Sequence, residues 1–133
     1  MGDKTRVLVV DDSSLARSII TTVLNSAEGI EVVGEAENGQ EAIERVWQTK
    51  PDIITMDIMM PIMDGLEAIQ YIMASNPTPI LVVTSNREVG VAFQAISSGA
   101  LEVMQKPDLS LGPEQWDGFV ERIKLLSRVK VIT

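Results

Sequence analysis

The chain contains no histidine and no cysteine. Without histidine it supplies no imidazole base, no phosphohistidine and no Ser-His-Asp triad. Any phosphohistidine it meets is carried by another protein, and its own chemistry runs on carboxylates, hydroxyls, amines and metal. Without cysteine there is no disulfide, thiolate zinc site or iron–sulfur cluster. Cationic side chains are scarce, 11 Lys plus Arg against 19 Asp plus Glu, for a formal net charge of −8. That balance argues against non-specific binding to DNA, RNA or an anionic membrane, each of which needs a basic surface. No apolar run approaches the roughly 20 residues of a membrane helix. The start, Met1-Gly2-Asp3-Lys4-Thr5-Arg6, leads into a strand with no signal-peptide core. The expected location is the cytoplasm.

What is present is an alternation of strand and helix signals, repeated about five times. At 133 residues and 45% hydrophobic composition, one domain with one good core is expected. Strands are predicted near 6–10, 31–36, 52–56, 80–83 and 101–105. The first helix is capped by Ser13 or Ser14 and is predicted to turn Leu15, Ile19, Val23 and Leu24 to one face. After the Asn38-Gly39 turn a second helix is predicted to bury Ala42, Ile43, Val46 and Trp47, and Pro51 stops it. Asp64-Gly65 opens a third helix, with Leu66, Ile69, Ile72 and Met73 inward. A fourth spans about 88–98 and ends at Gly99, a left-handed C-cap. Pro113 begins the fifth, with Trp116, Phe119, Ile123 and Leu126 in one stripe. Strands 1, 3 and 4 are unbroken apolar runs, as expected when helices cover both faces of a parallel sheet. The fold class is therefore α/β with right-handed crossovers. The polar loop 108–112 reads as mobile, and the basic, apolar ending 127–133 as the start of an interdomain linker.

Chemistry gathers where the strands stop. The run Val7–Val10 ends at Asp11-Asp12, and Ile53–Met56 ends at Asp57. Ile80–Val83 ends at Thr84-Ser85, and Leu101–Met104 is followed by Lys106-Pro107. In a parallel sheet these positions share one edge, where open α/β folds bind their ligands. Acidic residues after strands are often solvated turns, and a lone lysine is usually surface. Three carboxylates brought together repel one another and call for a cation or for raised pKa values. Mg²⁺ favours one or two carboxylates, several waters and a phosphate oxygen. Lysine adds a compact point charge suited to phosphate. The set fits phosphoryl transfer onto a carboxylate, with metal charge offsetting the incoming group. Met59, two residues past Asp57, is placed to shield that carboxylate from water.

Asp11-Asp12, Asp57, Met60-Pro61, Met63-Asp64-Gly65, Thr84, Gly99-Ala100 and Lys106-Pro107, in this order, resemble the response-regulator receiver domain over about 120 residues. The resemblance implies a flavodoxin-like, doubly wound five-stranded sheet of order 2-1-3-4-5, with the receiver spanning 1–126. It implies that a histidine kinase phosphorylates Asp57, and that Asp12, Asp57 and the Met59 backbone carbonyl hold Mg²⁺ (or Mn²⁺), with Asp11 acting through water. It implies that Thr84 and Lys106 contact the phosphoryl group and couple it to the face formed by helix 4, strand 5 and helix 5. On that face Val91, Phe93 and Trp116 are the candidate output residues. Val103 stands where the family often carries an aromatic, so a switch led by the Thr84 loop and helix 4 is expected. Met63–Ile69, Pro77-Thr78-Pro79-Ile80 and Arg128-Val129-Lys130-Val131 look like the N-terminal domain of the chemotaxis protein-glutamate methylesterases. That likeness implies a C-terminal hydrolase domain as the regulated partner.

Other classes fit less well. A haloacid-dehalogenase-type phosphatase needs a second Asp two residues after the nucleophile, and position 59 is Met. An FMN carrier needs a hydroxyl- and glycine-rich phosphate loop after strand 1, where Asp11-Asp12 would repel the phosphate. A dinucleotide site is excluded because no Gly-x-Gly-x-x-Gly follows a strand.

Overall fold

The computed structural model describes residues 3–86, 88–108, 110 and 112–131. Of the segments read from sequence, Met1-Gly2, Leu109, Leu111 and Ile132-Thr133 lie outside the described residues. The elements run β1 (Thr5–Val10), α1 (Ser14–Ser26), β2 (Ile30–Ala36), α2 (Gly39–Thr49), β3 (Ile53–Met56), α3 (Gly65–Ser75), β4 (Ile80–Thr84), α4 (Val89–Ser98), β5 (Glu102–Gln105), a 3-10 turn (Pro113–Trp116) and α5 (Asp117–Leu126). The strands form one parallel sheet in the order β2-β1-β3-β4-β5, the doubly wound topology expected from the sequence. No described helix is long and apolar enough to cross a membrane.

Side-chain alternation along the central strands divides the interior into two cores. Leu8, Val10, Ile54, Met56, Ile80 and Val82 face α2, α3 and α4. Val7, Val9, Ile53, Leu81 and Val83 face α1 and α5, where they meet Ile20, Leu24, Phe119 and Ile123. Strands β1, β3 and β4 are covered on both faces, which is why their sequences are unbroken apolar runs. Three helices start with a side-chain cap on an otherwise unpaired N–H. Ser13 accepts from Ala16, Asn38 from Glu41, and Asp64 from Glu67. Helix α4 has no such cap, since Glu88 makes no side-chain bond at its start.

Three expectations about helix faces change. In α1 the buried stripe is Ala16, Ile20 and Leu24, with Ile19 and Val23 half-buried beside it, and Leu15 is 62% exposed. Apolar residues repeat at spacing four in two adjacent rows of this helix, and the smaller Ala16 lets α1 approach the sheet. In α2 the buried row is Ala42 and Val46, and Trp47, one position (about 100°) further round, is 57% exposed. Trp116 is 2% exposed, its ring edge-on to Phe119 at 5.5 Å, so it belongs to the core and not to an output face. It closes the 3-10 turn before α5 and shares the buried cluster of Phe119 and Ile123, as expected from the stripe in the sequence.

Candidate phosphoacceptor and metal site

Each candidate residue stands where a strand ends on one edge of the sheet. Asp11 follows β1, Asp57 follows β3, Thr84 ends β4 and Lys106 follows β5. The ladder extends just far enough to hold them. Asp11 N donates to the Ala36 carbonyl at 3.0 Å, and Asp57 N donates to the Val10 carbonyl at 3.1 Å. Lys106 N donates to the Thr84 carbonyl at 2.9 Å. Asp11, Asp57 and Thr84 are buried, and Asp12 is exposed at the mouth.

Lys106 is the centre of the arrangement. Its Nζ lies 2.7 Å from Asp11 Oδ2 and 3.1 Å from Asp57 Oδ2, with only 13% of its side chain exposed. Burial by itself would lower the pKa of this ammonium. The hydrogen bond to Asp11, then the charge and hydrogen bond of Asp57, outweigh that and hold the pKa above the ordinary lysine value. A raised lysine pKa means the pairing stabilises the fold fully at neutral pH. On the alkaline side it is lost as pH rises through the lysine's raised pKa, above the ordinary 10.5.

The two carboxylates also hold backbone groups. Asp57 Oδ1 accepts from Ile58 N at 2.7 Å, and Asp11 Oδ1 accepts from Ser13 N at 2.9 Å. One carboxylate oxygen from each of Asp11, Asp12 and Asp57 lies within 4.8 Å of the others. Such a donor set is all hard oxygen and carries more negative charge than Lys106 balances. It fits a small divalent cation that keeps part of its water shell. The sequence placed all three acids and the lysine together, and the structure brings them together.

The loop after Asp57 is pinned by close backbone contacts. Gly65 N donates to the Ile58 carbonyl at 2.8 Å, and a Cβ at Gly65 would run into the Asp57 carbonyl oxygen. Gly39 N donates to the Met63 carbonyl at 2.8 Å, and a Cβ there would stand 2.6 Å from that oxygen. The Asp64-Gly65 pair seen in the sequence is thus both a helix cap and a contact that only glycine permits. Met59 is 66% exposed, so its side chain lies at the rim of the pocket and does not cover Asp57 from within. Ile62, 78% exposed, takes a left-handed conformation with φ of 68°, which the sequence did not signal.

Thr84 Oγ1 accepts from Asn86 N at 3.2 Å. Arg17 was missed by the sequence reading, although it falls one turn after the helix start and faces the same edge. Its Nη1 donates to the Asp11 carbonyl at 2.7 Å and its Nε pairs with Glu35 Oε1 at 3.3 Å.

The chain matches the family described as the response regulator receiver domain over residues 7–110. Protein-glutamate methylesterase/protein-glutamine glutaminase 3 of Paramagnetospirillum magneticum is 44% identical over 130 residues, covering 98% of this chain and 36% of the relative. The corresponding protein 2 of Carboxydothermus hydrogenoformans is 50% identical over 107 residues, covering 79% of this chain and 30% of the relative. The chain thus spans about a third of the length of these relatives. Among solved structures, the response regulator domain of Thermotoga maritima CheB matches with a TM-score of 0.87 and 37% identity, covering 96% of this chain and 99% of that one. A chain of the CheX-CheY-BeF3-Mg complex from Borrelia burgdorferi matches with a TM-score of 0.81 and 26% identity, covering 97% and 92%. With the fold, the strand-end acids and these likenesses in agreement, the protein belongs to the response regulator receiver domains, and to those similar to the receivers of protein-glutamate methylesterases.

Proposed function

We propose that Asp57 accepts a phosphoryl group from a histidine kinase in the presence of Mg²⁺ (or Mn²⁺), and that the modified domain regulates a C-terminal chemoreceptor methylesterase. The observation that carries this reading is the bridging of Asp11 and Asp57 by one buried lysine beside a third carboxylate. An aspartate held only for structure would not need a second and third acid beside it. The likeness to a chain of the Borrelia burgdorferi complex with BeF3 and Mg supports the same chemistry.

Asp11, Asp12, Asp57 and the Met59 carbonyl would hold the cation, whose charge offsets that of the phosphoryl oxygens. An Asp57 carboxylate oxygen attacks phosphorus; the new O–P bond forms as the N–P bond of the partner's phosphohistidine breaks. The electron pair of that bond leaves with the imidazole. Asp57 Oδ1 is oriented by Ile58 N–H, so the carboxylate plane is set before the donor arrives. Lys106, already against Asp57, is placed to follow the charge from the carboxylate onto a phosphoryl oxygen. Thr84 Oγ1 accepts from Asn86 N and so keeps its own proton for a phosphoryl oxygen. Incubation with acetyl phosphate and Mg²⁺ should add one phosphoryl mass by intact mass spectrometry, in an alkali-labile form. Equal mass gain in Asp57→Asn at the wild-type rate would remove Asp57 as the acceptor.

The methylesterase assignment rests on the relatives, of whose length the matched stretch is about a third. In this reading residues 1–126 are the receiver and Ser127 onward leads toward the output domain. This chain alone should hydrolyse no methyl ester, since it holds no histidine for a triad. A reading frame that continues into a Ser-His-Asp hydrolase would bear the assignment out, and a frame that continues into a different domain would overturn it.

A further inference from the structure

We infer that Arg17 is a positioning residue for the metal site, acting through Asp11 and anchored by Glu35. The inference rests on the reading that Asp11, Asp12 and Asp57 hold a divalent cation. Every polar group of Asp11 is engaged. Its N–H donates to the Ala36 carbonyl, Oδ1 accepts from Ser13 N, Oδ2 pairs with Lys106, and its carbonyl accepts from Arg17 Nη1 at 2.7 Å. That last bond fixes the peptide plane joining Asp11 to Asp12. Asp12 is exposed, and its direction is set by the backbone turn on either side of it.

The guanidinium is suited to this task. Its side chain is 18% exposed, and while Nη1 holds the carbonyl, Nε meets Glu35 Oε1 at 3.3 Å across the β2 end. The fork therefore ties the first turn of α1 to two neighbouring strand ends. A lysine at this position presents one point charge and cannot span both partners. Outer-shell partners of metal ligands typically change affinity by about 10–100-fold when removed. A bare charge effect has the opposite sign, because removing a cation beside three carboxylates strengthens cation binding.

Mg²⁺ titration by isothermal calorimetry separates the two. Arg17→Met should weaken Mg²⁺ binding by about tenfold, the lower end of that range, and Arg17→Lys should fall between it and wild type. Glu35→Ala leaves the guanidinium in place but removes its anchor, and should weaken binding in the same direction. Glu37→Ala removes the same charge from the same hollow while keeping the Arg17–Glu35 ion pair, and should stay within about twofold of wild type. If Arg17→Met fails to fold by circular dichroism, the contrast between the two glutamates carries the test. Unchanged or tighter Mg²⁺ binding in Arg17→Met, or equal weakening in both glutamate variants, would overturn the role of Arg17. Absence of Mg²⁺ binding by the wild-type protein would instead overturn the metal reading itself.

Discussion

Replacing Asp12 with Asn should make the metal-free protein more stable. Asp12 faces the carboxylates of Asp11 and Asp57 with oxygens inside 4.8 Å, whereas Lys106 pairs with Asp11 and Asp57. At 4.8 Å each like-charge pair costs roughly 3.5 kcal/mol at an effective dielectric near 20, and about 0.9 kcal/mol in bulk water. Asp12 is exposed, so the lower figure governs, and its two neighbours give a relief of about 1–2 kcal/mol on neutralisation. Lys106→Met is the opposite perturbation. It leaves two buried carboxylates with no counter-charge and should cost about 3–5 kcal/mol. Urea unfolding in EDTA at low salt measures both. In excess Mg²⁺ the order of Asp12→Asn and wild type should reverse, because a cation bound only by the folded state stabilises it. The repulsion argument fails if Asp12→Asn is no more stable than wild type in EDTA. It fails equally if the gain survives Mg²⁺ unchanged.

Gly65→Ala should destabilise the fold by about 1–3 kcal/mol, as overpacking does, because the new Cβ meets the Asp57 carbonyl oxygen and lies 2.8 Å from Ile58 Cα. Urea unfolding would show it, and a shift below about 0.5 kcal/mol, ordinary for a surface change, would mean the loop yields freely. Met59→Asn or Met59→Glu should change the lifetime of phospho-Asp57 several-fold while leaving the fold intact, since this exposed side chain follows Asp57 by two residues and a polar group there can hold a water. Unchanged decay of the adduct in both variants, followed by intact mass, would place Met59 off the path of the attacking water. Beryllofluoride with Mg²⁺ should shift amide NMR signals of α4 and β5 as well as those of the pocket. Shifts confined to the pocket would leave a receiver that binds phosphoryl without reporting it.

The architecture was legible because the central strands and the chemistry obey the same rule. Residues such as Val9 and Val82 are buried on strands covered from both sides, and the next chemically distinct residue after each strand falls on the binding edge. Asp11, Asp57, Thr84 and Lys106 were therefore readable by position alone. The helix faces were less so. Leu15 and Trp47 each lie one residue from a buried row, and periodicity of 3.6 does not decide between adjacent rows when both are apolar. Trp116 kept its place in the stripe with Phe119 and Ile123, and it is that burial which removes it from the output face. Arg17 carried no signal, because its partner is a main-chain carbonyl and its anchor lies on β2, 18 residues away (17 to 35). The left-handed Ile62 was equally hidden, since the sequence offers no glycine or asparagine there.

The proposed output follows from what holds α4 and what does not. Helix α4 buries only Ala95 among its own residues, has no side-chain cap, and leaves Val89, Phe93 and Ile96 at 84, 72 and 48% exposure. Its approach is a relay of short bonds: Thr84 Oγ1 accepts from Asn86 N, and Asn86 Oδ1 accepts from Glu88 N, the residue before the helix. Gln105 Nε2 reaches the Asn86 carbonyl at 3.5 Å, a bond at the weak limit. A phosphoryl oxygen that draws the Thr84 hydroxyl toward Asp57 would therefore act on a contact that leads to the helix start. Val103 is half-buried against the same core, and a β-branched side chain has few rotamers in which to answer. The hydrogen bonds such a shift would exchange are those of Thr84 with Asn86 and of Asn86 with Glu88, about 0.5–1.5 kcal/mol each. A charged hydrogen bond from Lys106 or Thr84 to a phosphoryl oxygen is worth about 1.5–3 kcal/mol, enough to invert such a balance but not to lock it. A population shift of α4 between two packings is the response that these magnitudes allow.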